Sequence, residues 1–131
     1  MKTVLLWLWQ LPQNILGLLV ILFTGAHKIA GTSEWVASNR SYFGVSLGNY
    51  VIFGGAGGSG RSVYSLKHEY GHQKQSMYLG PLYLLLIGLP SIIGNIYDKI
   101  AHRTWDFQSR YCWYYKQPWE AWADKLGGVI R

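Results

Sequence analysis

A chain of 131 residues is long enough for one ordinary domain and too short for two with separate cores. Half of its residues are hydrophobic and only 14% are charged, against about 25% in soluble domains, so the composition leans towards a membrane. The net charge of +6 comes without a basic cluster, which argues against nucleic acid, and the single cysteine, Cys112, excludes an intrachain disulfide and a cysteine-rich metal site.

The first apolar stretch, residues 4–23, is VLLWLWQLPQNILGLLVILF, long enough for a membrane-crossing helix, with Trp7 and Trp9 suited to an interface. Gln10, Pro12, Gln13 and Asn14 interrupt it. Pro12 removes a backbone donor and predicts a kink, and the amides require partners inside protein or near headgroups. Three readings stay open: a retained anchor, a flat or kinked membrane helix, and a cleaved signal peptide, the last from Lys2, the apolar run and Thr24-Gly25-Ala26. Residues 1–26 are read as a membrane-associated helix and 27–131 as one domain.

SYFGVSLGNYVIF, residues 41–53, is aromatic and β-branched with a turn signal at Gly48-Asn49, which predicts a short hairpin. Its second half, Tyr50–Phe53, offers an edge to an extended peptide, by analogy with a common protease device. GGAGGSG, residues 54–60, follows and reads as a flexible loop beside the site, with Arg61-Ser62 after it. It approaches a phosphate-binding loop, but arginine stands where that loop needs lysine, and no acidic strand end follows to help hold magnesium.

Residues 65–79, SLKHEYGHQKQSMYL, predict a helix capped by Ser62 or Ser65 and stopped at Gly80-Pro81. On it His68 and His72 stand four apart, so their imidazoles share a face and can chelate one ion. Neutral imidazoles suit Zn²⁺ at about 2.0–2.1 Å, and the ion lowers the pKa of bound water towards about 7. Glu69 lies about 100° around the helix, where it does not compete as a ligand and can take a proton from that water as it attacks a carbonyl.

The second apolar stretch, residues 79–97, is LGPLYLLLIGLPSIIGNIY, punctuated by Gly80-Pro81 and Leu89-Pro90. Its uninterrupted part is too short for a span, which predicts a core helix or a re-entrant segment. A single crossing here would separate His68 and His72 from anything after residue 97.

Near the C-terminus PWEAWADKLG, residues 118–127, predicts a helix opened by Pro118 and closed at Gly127. Glu120 and Asp124 are one turn apart on one face, so one can bind metal while the other receives an imidazole N–H. The alternative for this pair is an acidic first turn that complements the helix dipole and pairs with Lys125 or Arg131. His102, Asp98 and Asp106 are reserve ligands.

The metzincin extension fails, because Gln75 and Tyr78 occupy its positions. His68-Glu69-Tyr70-Gly71-His72 with Glu120-Ala121-Trp122-Ala123-Asp124 instead resembles the gluzincin zinc metallopeptidases, in a small membrane-associated form. The resemblance covers two helical segments, under a fifth of the chain, and 47 residues lie between His72 and Glu120, more than in the thermolysin-like arrangement. It implies His68, His72 and Glu120 as Zn²⁺ ligands, Glu69 as general base and Asp124 as the partner of a ligand histidine. Oxyanion candidates are Tyr111, Tyr114, Tyr115 and His102.

The expectations are thus an α+β, mainly helical chain and a zinc-dependent peptidase acting on peptide or protein substrates, with membrane lipid as its other partner. Lys28 and Arg40, just after the first apolar stretch, favour a cytoplasmic site. The competing expectation is a non-catalytic membrane protein whose HEYGH binds a structural metal or none.

Overall fold

A computed structural model describes residues 2–55 and 63–131 and is α+β and mainly helical. The first apolar stretch forms two helices, α1 (Lys2–Trp9) and α2 (Leu11–Thr24), bent 84° to one another. The break falls at Gln10, not inside a helix at Pro12. Pro12 sits in the first turn of α2, where its missing N–H costs no helical bond.

The amides that interrupt this stretch are its attachment to the rest of the chain. Gln10, Gln13 and Asn14 are fully buried. Gln13 Nε2 donates to Ser76 Oγ and to the Gly80 carbonyl, both at 2.8 Å, and Ser76 Oγ donates to Gln10 Oε1 at 2.6 Å. Asn14 Oδ1 accepts the Asn49 N–H at 2.8 Å. A buried amide stripped of such partners costs about 1–3 kcal/mol, so these bonds fix both apolar helices against the hairpin turn and the end of the HEYGH helix.

The predicted hairpin forms from β3 (Gly44–Leu47) and β4 (Tyr50–Phe53), turning at Gly48, whose φ of 64° suits glycine. It belongs to a four-stranded sheet with β1 (His27–Lys28) and β2 (Glu34–Val36), in the order β1-β2-β4-β3. β4 is therefore central, parallel to β2 and antiparallel to β3, with Val51, Ile52 and Phe53 fully buried. The expectation that Tyr50–Phe53 offers an edge is corrected: its backbone groups are taken on both sides, and the edge is β3.

The HEYGH segment lies in α3 (Val63–Leu79). Ser65 falls inside this helix instead of capping it; Ser62, with the rest of residues 56–62, lies outside the described residues, as does most of the glycine-rich run. Gly80, at φ 54°, ends α3 against Trp9, whose indole occupies the space a side chain there would need.

The second apolar stretch departs from expectation. After a 3-10 turn (Gly80–Leu82) it runs through a π-helical turn (Leu84–Gly88) directly into α4 (Leu89–Ala101), one helical rod of 18 residues. It neither dips and returns nor forms core. Leu85, Leu86, Leu89, Ile92, Ile93, Ile96 and Ile100 are exposed, and only the narrow line of Ile87, Gly94 and Asp98 is buried. Pro90 does not break it, because it sits in the first turn of α4, just after a π turn in which the Leu89 N–H reaches back to the Leu84 carbonyl.

Two helices complete the chain, α5 (Phe107–Tyr115), capped by Asp106 through the Ser109 N–H, and α6 (Pro118–Gly127), with the predicted bounds. α3 packs chiefly on α6. A Cβ on Gly71 would stand 1.8 Å from the Ala123 carbonyl oxygen, and one on Gly127 1.9 Å from that of Lys67. Backbone-to-backbone approach at these two glycines sets the distance between the histidines of α3 and the carboxylates of α6.

Candidate metal centre

Three side chains converge where α3 meets α6. His68 Nε2 lies 3.0 Å and His72 Nε2 3.1 Å from Glu120 Oε2, and the two imidazole nitrogens are 3.1 Å apart. All three residues are buried. A tetrahedral ion with ligands at about 2.0–2.1 Å separates its ligand atoms by about 3.3 Å, so the triangle is slightly contracted but of the right size. His68, His72 and Glu120 form a group that can hold a metal ion.

The far nitrogen of each ring shows which way the donor atoms are turned. His68 Nδ1 lies 2.7 Å from Asp124 Oδ1, and His72 Nδ1 2.7 Å from Gln75 Oε1. Gln75 Nε2 donates to the Trp119 carbonyl at 2.8 Å, which orients the amide so that its oxygen faces His72. Both Nδ1 atoms therefore act as donors, leaving both Nε2 lone pairs aimed at a carboxylate oxygen. Two lone pairs and an anion in a buried triangle require a proton or a cation between them.

Without an ion the proton takes that place. Burial alone would lower the His68 pKa, but hydrogen bonds to Asp124 and Glu120 outweigh it and raise the value to about 9. Burial would raise Glu120, yet bonds to His68 and His72 hold its carboxyl well below the usual range. Its other oxygen, Oε1, accepts from Ser91 Oγ at 2.5 Å and Tyr114 Oη at 3.0 Å, so Oε2 alone faces the histidines.

Asp124 is braced in turn. Arg131 Nε and Nη2 donate to its two oxygens at 2.6 and 3.0 Å, and with His68 they hold the carboxyl ionised against the upward pull of burial. The same guanidinium lies 3.5 Å from the centre of the Tyr115 ring, which meets His68 edge to face.

Glu69 is buried beside the triangle and lines the same cavity, of about 760 Å³. Burial is the main cause that raises its pKa, with His72 and His68 pulling the other way. A Cβ on Gly44 of the edge strand β3 would come 3.1 Å from Glu69 Oε1, so the smallest residue stands where strand and carboxylate are closest.

The four oxyanion candidates separate by position. Tyr114 and Tyr115 line the cavity; Tyr111 does not, and its hydroxyl accepts from Arg131. His102 lies elsewhere, 3.1 Å from Asp98, stacked on Trp105 and edge-on to Trp113. Asp98 is committed to Arg110 and His102, and Asp106 to Ser109, so none of the reserve ligands reaches the triangle.

Sequence reasoning missed Gln75, Ser91 and Tyr83. Gln75 is three residues after His72 on the same helix face, a signal that spacing does carry. Ser91 sits among apolar residues, and Tyr83, whose hydroxyl donates to the Ser46 carbonyl at 2.9 Å, is one of ten tyrosines; neither has a local signature. Comparison of the chain with protein-family profiles, curated proteins and solved structures finds no match.

Proposed function

We propose that the protein is a small membrane-associated zinc peptidase in which His68, His72 and Glu120 hold the metal and Glu69 is the general base. The observation that carries this reading is the convergence of two imidazole lone pairs and one carboxylate oxygen, each ring committed to a hydrogen-bond acceptor on its far side. A bound zinc ion supplies a Lewis acid and a water of lowered pKa.

The remaining chemistry belongs to side chains. Glu69 takes a proton from water as oxygen bonds to the peptide carbonyl carbon, then delivers it to the amide nitrogen as the C–N bond breaks, leaving a free acid and a free amine. Its raised pKa suits both transfers. Tyr115, on the cavity wall, supplies an O–H donor for the oxygen that gains charge, while the Tyr114 hydroxyl is committed to Glu120 Oε1. The edge strand β3 borders the cavity through Gly44–Leu47, with Tyr83 on its Ser46 carbonyl, and an extended peptide can align beside it. The helix Leu84–Ala101 is long and apolar enough to cross a membrane, which supports membrane association, and Lys28 and Arg40 favour a site on the cytoplasmic side.

The test is metal analysis and peptide hydrolysis by wild type, Glu69→Gln and His72→Ala. Stoichiometric zinc in wild type and Glu69→Gln, with hydrolysis lost about 10³-fold or more only for want of the base, supports the reading. Wild type without stoichiometric zinc would falsify it. Zinc bound equally by wild type and Glu69→Gln, with neither hydrolysing peptides, assigns the metal a structural role.

A further inference from the structure

The cavity that holds the triangle reaches the surface past apolar residues of α2 and of the first half of the rod, with Asn95 and Lys99 lining it further along. Leu16 of α2 and Leu84, Leu89 and Ile92 of the Leu84–Ala101 rod line it, and Leu16, Leu89 and Ile92 are themselves 40%, 47% and 60% exposed. These residues therefore belong both to the cavity wall and to the outer surface.

The same two helices carry further exposed apolar residues. On the rod Leu85, Leu86, Ile93, Ile96 and Ile100 are exposed beside Leu89 and Ile92, and α2 exposes Ile15, Leu18, Leu19 and Leu22 beside Leu16. So much apolar surface is not left to water. The rod of 18 residues measures about 27 Å at 1.5 Å per residue, close to the hydrocarbon thickness of about 30 Å. Exposed aromatics bracket it: Trp9 and Tyr78 near its start, Tyr97, Trp105 and Phe107 near its end. Lys99 and Arg103 accompany the latter group, as at a headgroup boundary.

The occupant of this face is the bilayer. Ser91, which donates to Glu120, lies seven residues along the rod, so the chain returns through α5 and α6 to a triangle about 10 Å from the rod's start, at the level of its apolar part, and one crossing does not separate Glu120 from His68 and His72. Lys67, Lys74 and Lys125 of α3 and α6 are exposed and do not line the cavity.

We propose that the mouth of the cavity opens onto the bilayer between α2 and the Leu84–Ala101 rod, and that its substrate is an apolar, membrane-resident peptide segment arriving laterally. This rests on the peptidase reading for the chemistry and on the apolar residues at the mouth for the class of substrate. A segment entering there passes Leu16 and Ile92 before reaching Glu69, and exchanges lipid contact for equally apolar contact, with little penalty.

The experiment uses the full chain loaded with zinc in phosphatidylcholine vesicles. Bimane attached at Leu16→Cys or Ile92→Cys, in a Cys112→Ser background, is challenged with lipids brominated in their acyl chains; Lys125→Cys is the polar-side control. Two substrates share one cleavable sequence, one within a membrane-spanning apolar segment and one in a soluble polar peptide. The proposal expects quenching at 16 and 92 but not at 125, and cleavage of the membrane-resident substrate about tenfold or more faster at equal bulk concentration. No quenching at 16 and 92, or a polar peptide cleaved as fast, overturns lateral entry and leaves the peptidase reading standing. No hydrolysis of either substrate by zinc-loaded protein overturns the peptidase reading, and the substrate assignment with it.

Discussion

Arg131 shows how a residue that touches no candidate ligand can govern one. Its guanidinium grips both oxygens of Asp124, Asp124 fixes the proton on His68 Nδ1, and the Tyr115 ring beneath the guanidinium packs edge-on against His68. Arg131→Ala leaves all three proposed ligands in place but frees Asp124 and Tyr115. Zinc affinity, measured by competition with a chromogenic chelator, is expected to fall about 10–100-fold, and Arg131→Lys to recover part of it, because a point charge replaces a bidentate fork. The His68 pKa sets a second prediction. Held at about 9 against 6.5 in the unfolded chain, protonated His68 stabilises the metal-free protein fully below pH 6.5, and that stability is lost as pH rises through 9. It amounts to at most on the order of 3 kcal/mol. Zinc must displace this proton, so the metal gains affinity over the same interval. The melting temperature of chelator-treated protein should fall between pH 6.5 and 9 while the increment added by zinc grows. A zinc increment independent of pH would show that His68 is not a ligand.

Among the elements, the close approach of α3 to α6 is what assembles the candidate site, and a glycine inside HEYGH permits it. Gly71→Ala puts a methyl group against the Ala123 backbone, and helices that cannot move without breaking the Glu120 and Gln75 bonds must separate. Overpacking of this kind costs about 1–3 kcal/mol, so thermal unfolding of the variant in detergent should come several degrees early and its zinc stoichiometry should fall. A neighbouring control, Tyr70→Phe, removes a hydroxyl that stands 3.4 Å from Glu34 Oε2, adds no bulk between α3 and α6, and should retain zinc. The α3 and α6 helices were legible in the sequence because period, proline start and glycine stop coincide with residues that metal chemistry demands. The hairpin was legible from its Gly48-Asn49 turn. β1 and β2 were not, since strands of two and three residues carry no alternation to detect. Nor was the path after α3: Leu89-Pro90 reads as a break, and only the π turn before it lets the helix continue. Ser91, reaching Glu120 from that rod, depends on the same unreadable geometry.

For the whole molecule, the proposed membrane association can rest on charge or on apolar surface. The net charge of +6 attracts anionic lipid, but its lysines and arginines are spread along the sequence without a cluster, and 1 M salt screens such attraction to within about 3 Å. The apolar faces of α1, α2 and the Leu84–Ala101 rod are insensitive to salt and large. The buried amides Gln10, Gln13 and Asn14 make these faces one unit, tying α1 and α2 to Ser76, Gly80 and Asn49 so that they lie against the folded chain instead of trailing from it. Protein reconstituted with purely phosphatidylcholine vesicles should therefore float with them undiminished in 1 M NaCl, and anionic lipid should add little. Gln13→Ala, which leaves Ser76 Oγ and the Gly80 carbonyl without their donor, should still float but lose zinc more readily to chelator, because the end of α3 loses its brace. Release of wild type by salt would mean that basic residues, not the apolar faces, make the attachment. A Gln13→Ala variant unchanged in both respects would mean that α2 is joined to the site only by chain connectivity.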